Sequence, residues 1–246
     1  MKVFAIYGFS KSGKTESIER IIYELKRRGY KVGAIKKSYH HDVEYDKKGK
    51  DTYRMEQSGA DIVGGLSRSR AALFYNYEVK PLDFIKLFNT DYLVIEGRLD
   101  IAVPKILSAA SKSELEELND SLVFAITGKI SESMEEYKGI PVINALKKTE
   151  DLVDLIENKV FPLLPQINCE ECGFDCAGMA ERILKGEKDI RDCVILQRNR
   201  VKIMVGKKPM YLAPFLENML INIVRGFLSP LKGYEDGQEL HIRIEE

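Results

Sequence analysis

Over its first two thirds the chain alternates short apolar blocks with amphipathic stretches. KVFAIYG (2–8) is an apolar run that ends at a glycine and reads as a buried strand. In TESIERIIYELKRRG (15–29) the period changes: Ile18, Ile21, Ile22 and Leu25 share one helical face, and Gly29 is the stop. YKVGAIKK (30–37) is a second strand, so the first forty residues form a βαβ unit. A polar loop, YHHDVEYDKKGKD (39–51), follows. Strands are predicted at 60–67, 71–76, 91–97, 122–127 and 140–145. Helices are predicted at 81–88, opened by Pro81, and at 149–160, with Thr149 as N-cap. The alternation predicts an α/β fold with a largely parallel sheet.

The pattern changes at FPLLPQINCEEC, where Pro162 and Pro165 mark a connector. A boundary there divides the chain into 1–160 and 161–246. In the second part 200–212 reads as a hairpin turning at Gly206, and 239–245 alternates like a strand. The helix at 213–228 carries Phe215, Leu216, Met219, Leu220, Ile223, Val224, Phe227 and Leu228 on one face. That stripe is expected to be core packed on the hairpin rather than a membrane or partner surface. The second part is therefore a small α+β unit.

Composition narrows the classes. The chain has 246 residues, 44% hydrophobic and 31% charged, with 38 basic and 38 acidic side chains. That balance offers no field to attract nucleic acid. No apolar run approaches the ~20 residues of a membrane span, and MKVFAIYGF lacks the form of a signal peptide. The expected location is the cytoplasm.

GFSKSGKT, spanning Gly8, Phe9, Ser10, Lys11, Ser12, Gly13, Lys14 and Thr15, fits G-x-x-x-x-G-K-[ST] and lies between strand and helix. Its backbone N–H groups can cradle phosphates, Lys14 can reach the β- and γ-phosphates, and the Thr15 hydroxyl can bind Mg2+. The class is a P-loop NTPase. Lys11 occupies a position where many such loops have glycine. Glu96, ending DYLVIEG, is the candidate partner acid, holding Mg2+ through water or positioning the attacking water. Lys14 and Glu96 are thus the candidate catalytic pair. Asp91, at the strand's other end, reads as a cap. His40, His41, Asp42, Glu44 and Asp46 form a polar group suited to a switch loop, with Asp46 touching Mg2+ indirectly. The guanine-reading pattern N-K-x-D is absent. AITGK (125–129) and INAL (143–146) are places where a base could be read, without deciding which.

GFSKSGKT, GYKVGAIKKSYHH, DKKGKDTYRMEQSGAD and YLVIEGRLDIAVPKI together resemble the MobB family, adaptor GTP-binding proteins of molybdopterin-guanine dinucleotide biosynthesis. The resemblance covers about 1–110, and the run from Asp46 to Ala60 is its most specific piece. It implies GTP as ligand, slow hydrolysis, a homodimer, and a molybdopterin guanylyltransferase as partner, with molybdopterin or a molybdoenzyme beside it. It places phosphates on Gly8 to Thr15, Mg2+ on Thr15 and Glu96, and Asp46, Lys50, Asp51 and Arg54 in the characteristic loop. Lys11 and KILSAA depart from the family pattern.

Cys169, Cys172, Cys176 and Cys193 are the only cysteines, spaced C-x2-C-x3-C-x16-C. Structural zinc favours paired C-x2-C knuckles; three ligands from one loop and a distant fourth suit a [4Fe–4S] cube. Asn168 to Cys193 resembles the four-cysteine iron–sulfur domain of corrinoid iron–sulfur proteins. The leading expectation is a GTP-binding adaptor with an iron–sulfur module in molybdenum or tungsten cofactor synthesis. The alternatives are an NTP-driven redox activator or metallochaperone passing electrons to a partner, and a nucleotide-gated adaptor without turnover.

Overall fold

A computed structural model of the chain describes residues 1–38, 46, 48–118, 120–198, 201, 203–205, 208–210, 212, 214–234, 240 and 242. In chain order the elements begin β1 (Lys2–Tyr7), α1 (Lys14–Arg27), β2 (Val32–Lys36), α2 (Asp51–Gln57), β3 (Ile62–Leu66) and β4 (Ala71–Tyr75). They continue α3 (Pro81–Ile85), β5 (Tyr92–Glu96), β6 (Lys105–Ser108), α4 (Lys112–Leu118), β7 (Val123–Thr127), β8 (Glu136–Tyr137) and β9 (Ile140–Pro141). The last are α5 (Thr149–Lys159), α6 (Cys176–Lys185), α7 (Val194–Arg198), β10 (Ile203–Val205), β11 (Lys208–Met210) and α8 (Pro214–Leu228).

Five strands form one sheet in the order β2-β5-β1-β6-β7, all parallel. β1 is central and wholly apolar from Val3 to Tyr7, as a strand covered on both faces must be. Phe4, Ile6, Tyr92 and Val94 face α1 and α5, meeting Ile18, Ile21, Leu25, Leu152, Val153 and Ile156. Val3, Ala5, Leu93 and Ile95 face the other way, under Ile85, Leu99, Ile101 and Val103. The fully buried valine, leucine, isoleucine and phenylalanine side chains among them each contribute about 1.5–3 kcal/mol by leaving water.

The fold class read from the sequence is the one observed, and most elements sit within two or three residues of their expected bounds. α2, α4 and the sheet strand β6 escaped the reading: the two helices are only seven residues long and bury at most one side chain, and β6 is only four residues long, so each leaves little periodic signal. The strand expected at 140–145 shrinks to β9, with Val142 adding one parallel bridge to Ile126. Thr149 is not the N-cap of α5: Lys148 holds that position, and the Thr149 hydroxyl donates back to the Ala145 carbonyl at 2.6 Å. Asp91 does cap, accepting the Lys31 N–H at 2.7 Å.

Two features of the second part differ from expectation. The segment from Val160 to Leu196 does not enclose a core of its own: Cys176, Met179, Ala180, Leu184 and Cys193 belong to the same apolar cluster as Phe4, Ile6 and Phe124. α8 is not a core helix, for Met219, Ile223 and Phe227 are 52%, 59% and 74% exposed. Among its described side chains the buried one is instead the acid Glu217, which accepts the Val201 N–H at 3.0 Å. β10 and β11 pair antiparallel as expected; the turn residue Gly206 and the run 239–245, apart from Leu240 and Ile242, lie outside the described residues.

Candidate functional site

β1 ends at Tyr7, and the chain turns through Gly8 to Gly13 into α1. Gly8 has φ 155°, and a Cβ there would lie 1.9 Å from the Ser108 carbonyl oxygen, so the loop lies hard against the end of β6. Gly13, with φ 103°, is the left-handed N-cap of α1. Among the described residues no side chain caps this helix, so its first N–H groups remain turned to the loop, a ready anion site. Lys11 has φ 64°. That is the left-handed region favoured by glycine, which explains why similar loops carry glycine here.

The loop is braced from below by residues the sequence reading did not single out. Ser12 is fully buried; its hydroxyl meets that of Ser108 at 3.1 Å, and its carbonyl accepts the Ser108 hydroxyl at 3.2 Å and the Lys129 N–H at 3.2 Å. Gly128, φ 91°, fits where a Cβ would meet the Ser12 oxygen at 2.5 Å and the Ala109 oxygen at 2.7 Å. The available signal was a glycine directly after the apolar run of β7, in the AITGK stretch noted only as a place to read a base. At the other such place, the Asn144 carboxamide oxygen accepts the N–H groups of Leu146 and Lys147 at 3.0 and 3.1 Å and so holds a turn.

Lys14 bends back over the loop, donating to the carbonyls of Gly8 at 3.0 Å and Phe9 at 2.5 Å. Burial lowers its pKa, opposed by the nearby Glu96 carboxylate. The Thr15 hydroxyl donates to Glu96 Oε1 at 3.4 Å, and Lys36 Nζ stands 4.0 Å from the same oxygen. Parallel pairing of β1 with β5 places Ile6 opposite Glu96, bringing this acid to the loop side of the sheet. Phe9, Ser10 and Lys11 are exposed at the loop tip. Asp46 is half-buried in a bend; His40, His41, Asp42 and Glu44 lie outside the described residues.

The cysteines approach one another unequally. Cys176 and Cys193 are buried, Cys172 is half-buried and Cys169 is exposed. Burial raises the pKa of the Cys193 thiol, with Cys172 and Cys176 adding to the rise while N–H groups of Leu196 and Ile195 oppose it. These three sulfurs therefore share one neighbourhood. The four do not close into a ligating set: among the described residues no group of three or more His, Cys, Asp or Glu side chains is disposed to hold a metal. The surroundings fit an iron–sulfur group nonetheless, since the donors are all soft thiols and two lie in apolar packing. Left-handed backbone at Asn168, Glu170 and Gly173 folds the intervening loop tightly. Asn168 Oδ1 accepts the Cys176 N–H at 3.0 Å, and Asp175 caps α6 through the Gly178 N–H.

A side-chain contact links the segment after Glu96 to the stretch before the cysteines. Gln166 takes both polar groups of the Ala102 backbone: the N–H donates to its Oε1 at 2.7 Å, and its Nε2 donates to the carbonyl at 3.1 Å. Ala102 lies in the segment that leaves β5 just after Glu96, and Gln166 lies three residues before Cys169.

Comparison with known proteins adds the context. The family model described as "Molybdopterin guanine dinucleotide synthesis protein B" (MobB) matches residues 3–129. A second, described as "Putative Fe-S cluster", matches 164–195. A protein of Methanocaldococcus jannaschii named "Putative molybdopterin-guanine dinucleotide biosynthesis adapter protein" is 28% identical over 100% of this chain and 98% of its own. The "Probable molybdopterin-guanine dinucleotide biosynthesis adapter protein" of Bacillus subtilis is 32% identical over 58% of this chain and 85% of its own. Among solved structures, the crystal structure of Bacillus subtilis MobB aligns with a TM-score of 0.57 at 28% identity, covering 65% of this chain and 99% of that one.

Proposed function

The chain belongs to the MobB family, and from that premise we propose that it is a GTP-binding adaptor and slow GTPase assisting synthesis of the molybdopterin guanine dinucleotide cofactor. GTP lies along Gly8 to Thr15. Mg2+ is held by Thr15 and Glu96, with Asp46 acting through water, and Lys14 steadies the phosphates. The observation that carries the reading is the Thr15–Glu96 pair at 3.4 Å, set at the uncapped start of α1 beside the folded-back Lys14. Residues 1–160 form the nucleotide unit, and 161–246 carry a [4Fe–4S] cluster on Cys169, Cys172, Cys176 and Cys193. The partners are the guanylyltransferase and molybdopterin or a molybdoenzyme, and the setting is the cytoplasm. No helix among the described residues is long and apolar enough to cross a membrane.

A homodimer is supported by the β3–β4 ribbon, a sheet of two strands with Leu66 and Leu73 exposed at 89% and 53%. Such a ribbon is marginal in water on its own. Sedimentation of the full chain as a monomer would overturn this part.

The experiment is anaerobic reconstitution with the guanylyltransferase, GTP and molybdopterin. Added protein should raise dinucleotide output, and Lys14→Ala should lose triphosphate affinity while keeping its iron. No stimulation, or tightly bound zinc without iron and acid-labile sulfide, sinks the corresponding half. A second reading, nucleotide-driven electron transfer from the cluster to a partner, is favoured by the Gln166–Ala102 link. It predicts nucleotide-dependent reduction of that partner instead.

A further inference from the structure

A cavity of about 810 Å3 lies between α3, the 98–105 segment and residues 166–177, and no residue from Gly8 to Thr15 lines it. Its volume is within the range of small-molecule sites, ~300–1,000 Å3. Lys80, Lys86, Arg98 and Lys105 line it, against Asp83 and Asp100. Lys86 bonds Asp83 at 2.9 Å. Arg98 and Lys105 both turn to one further carboxylate, Asp120, at 3.5 and 2.8 Å. That trio carries a net positive charge, and Lys105 is only 8% exposed. A buried ammonium that shares its counter-ion is costly, and an arriving anion would offset the cost. Between the charges lie the apolar Pro81, Leu99, Ile101 and Leu122, beside the amides of Gln166 and Asn168. The cavity therefore offers cations for a phosphate and an apolar surface for a ring.

We propose that this cavity binds a small organic phosphate with a flat heterocyclic body, of the phosphorylated pterin class, while the phosphate loop holds its own nucleotide. The choice of a pterin rests on the function proposed above; the phosphate and the ring rest on the lining. One wall is the segment that follows Glu96, and the opposite wall flanks Cys169 through Asn168. The ligand would thus touch both parts of the chain at once.

Equilibrium dialysis of the full-length protein with neopterin monophosphate, read by pterin fluorescence, tests this with saturating GTP and Mg2+ present. One site per chain is expected, unaffected by GTP and retained in Lys14→Ala. The exposed pair Lys80→Glu and Lys86→Glu should weaken binding about tenfold or more. Lys105→Met, checked by thermal melting for folding, should do the same. Neopterin without its phosphate should bind less tightly, and the gap should narrow in the charge-reversed protein. Displacement by GTP, absence of binding, or equal affinity in the variants overturns the proposal. If the probe binds and responds to these cations in a protein that takes no GTP, the site stands and the proposed function falls.

Discussion

Gly128 shows what one missing methyl group can hold in place. Its Cα lies under the phosphate loop, and a Cβ would strike the carbonyls of Ser12 and Ala109 from a left-handed backbone position. Gly128→Ala should therefore cost about 1–3 kcal/mol and weaken GTP binding. Denaturant titration and nucleotide binding read the two effects, and unchanged GTP affinity would show that the brace does not position the loop. At this scale the sequence was most legible where chemistry is local. Lys14, Thr15 and Glu96 could be picked out because their residue types and spacing state their roles. Ser108 could not, and Gly128 showed only as a glycine after the apolar run of β7, because their role arises only when the ends of β6 and β7 come beneath the loop. Lys11 looked anomalous in the sequence; its left-handed φ shows a backbone demand met by a residue that bears some strain.

At the scale of elements, α1 and α5 are tied by charge as well as by apolar packing. Glu24, almost fully buried, receives Arg27 at 2.6 Å and Arg28 at 2.8 Å. Arg28 continues to Asp154 at 2.6 Å and Glu157 at 2.7 Å, and Arg27 to Glu150 at 2.8 Å. Hydrogen bonds from Arg27 and then Arg28 hold the Glu24 carboxyl down at about 2, against 4.5 unperturbed. A carboxylate with a lowered folded-state pKa stabilises the fold above its unfolded value, and that stability drains as pH falls from about 4.5 toward about 2. Urea unfolding across this window should show the loss in the natural protein and a flatter profile in Glu24→Gln. Equal slopes would rule out Glu24 as the source. The apolar stripe of α1 and the local spacing of Glu24 with Arg27 and Arg28 were readable from the sequence, but the links onward to Glu150, Asp154 and Glu157 were not, since those partners are more than a hundred residues away. α8 shows the converse limit: its stripe predicted burial, yet periodicity states only that a face is apolar, not that the chain covers it.

For the whole molecule, the decisive feature is that the proposed division at residue 160 is not a division of the core. Leu122, Phe124 and Ala125 of the sheet region share one cluster with Met179, Ala180, Leu184 and the buried cysteines. Lys159 Nζ donates to the Leu184 carbonyl at 2.9 Å, fastening α5 to α6. A chain ended after residue 160 should melt at a lower temperature than the full protein, and differential scanning calorimetry reads this directly. An unchanged transition would mean that the second part contributes nothing to the first. The connector around Pro162 and Pro165 was visible as a change of composition. The shared core was not, because composition marks where chain direction changes and is silent on what later folds back.

The posture of Lys14 bears finally on timing. Its ammonium already has two oxygen partners, on Gly8 and Phe9, so an incoming triphosphate does not meet a waiting hand. It must first take the lysine from the loop's own carbonyls, and that exchange is an internal event whose speed does not depend on how much nucleotide is present. A side chain swaps partners in picoseconds to nanoseconds, so this exchange weakens GTP capture without slowing it. In a stopped-flow experiment the observed rate should climb in a straight line with concentration. A plateau would point instead to a slower rearrangement of the loop itself.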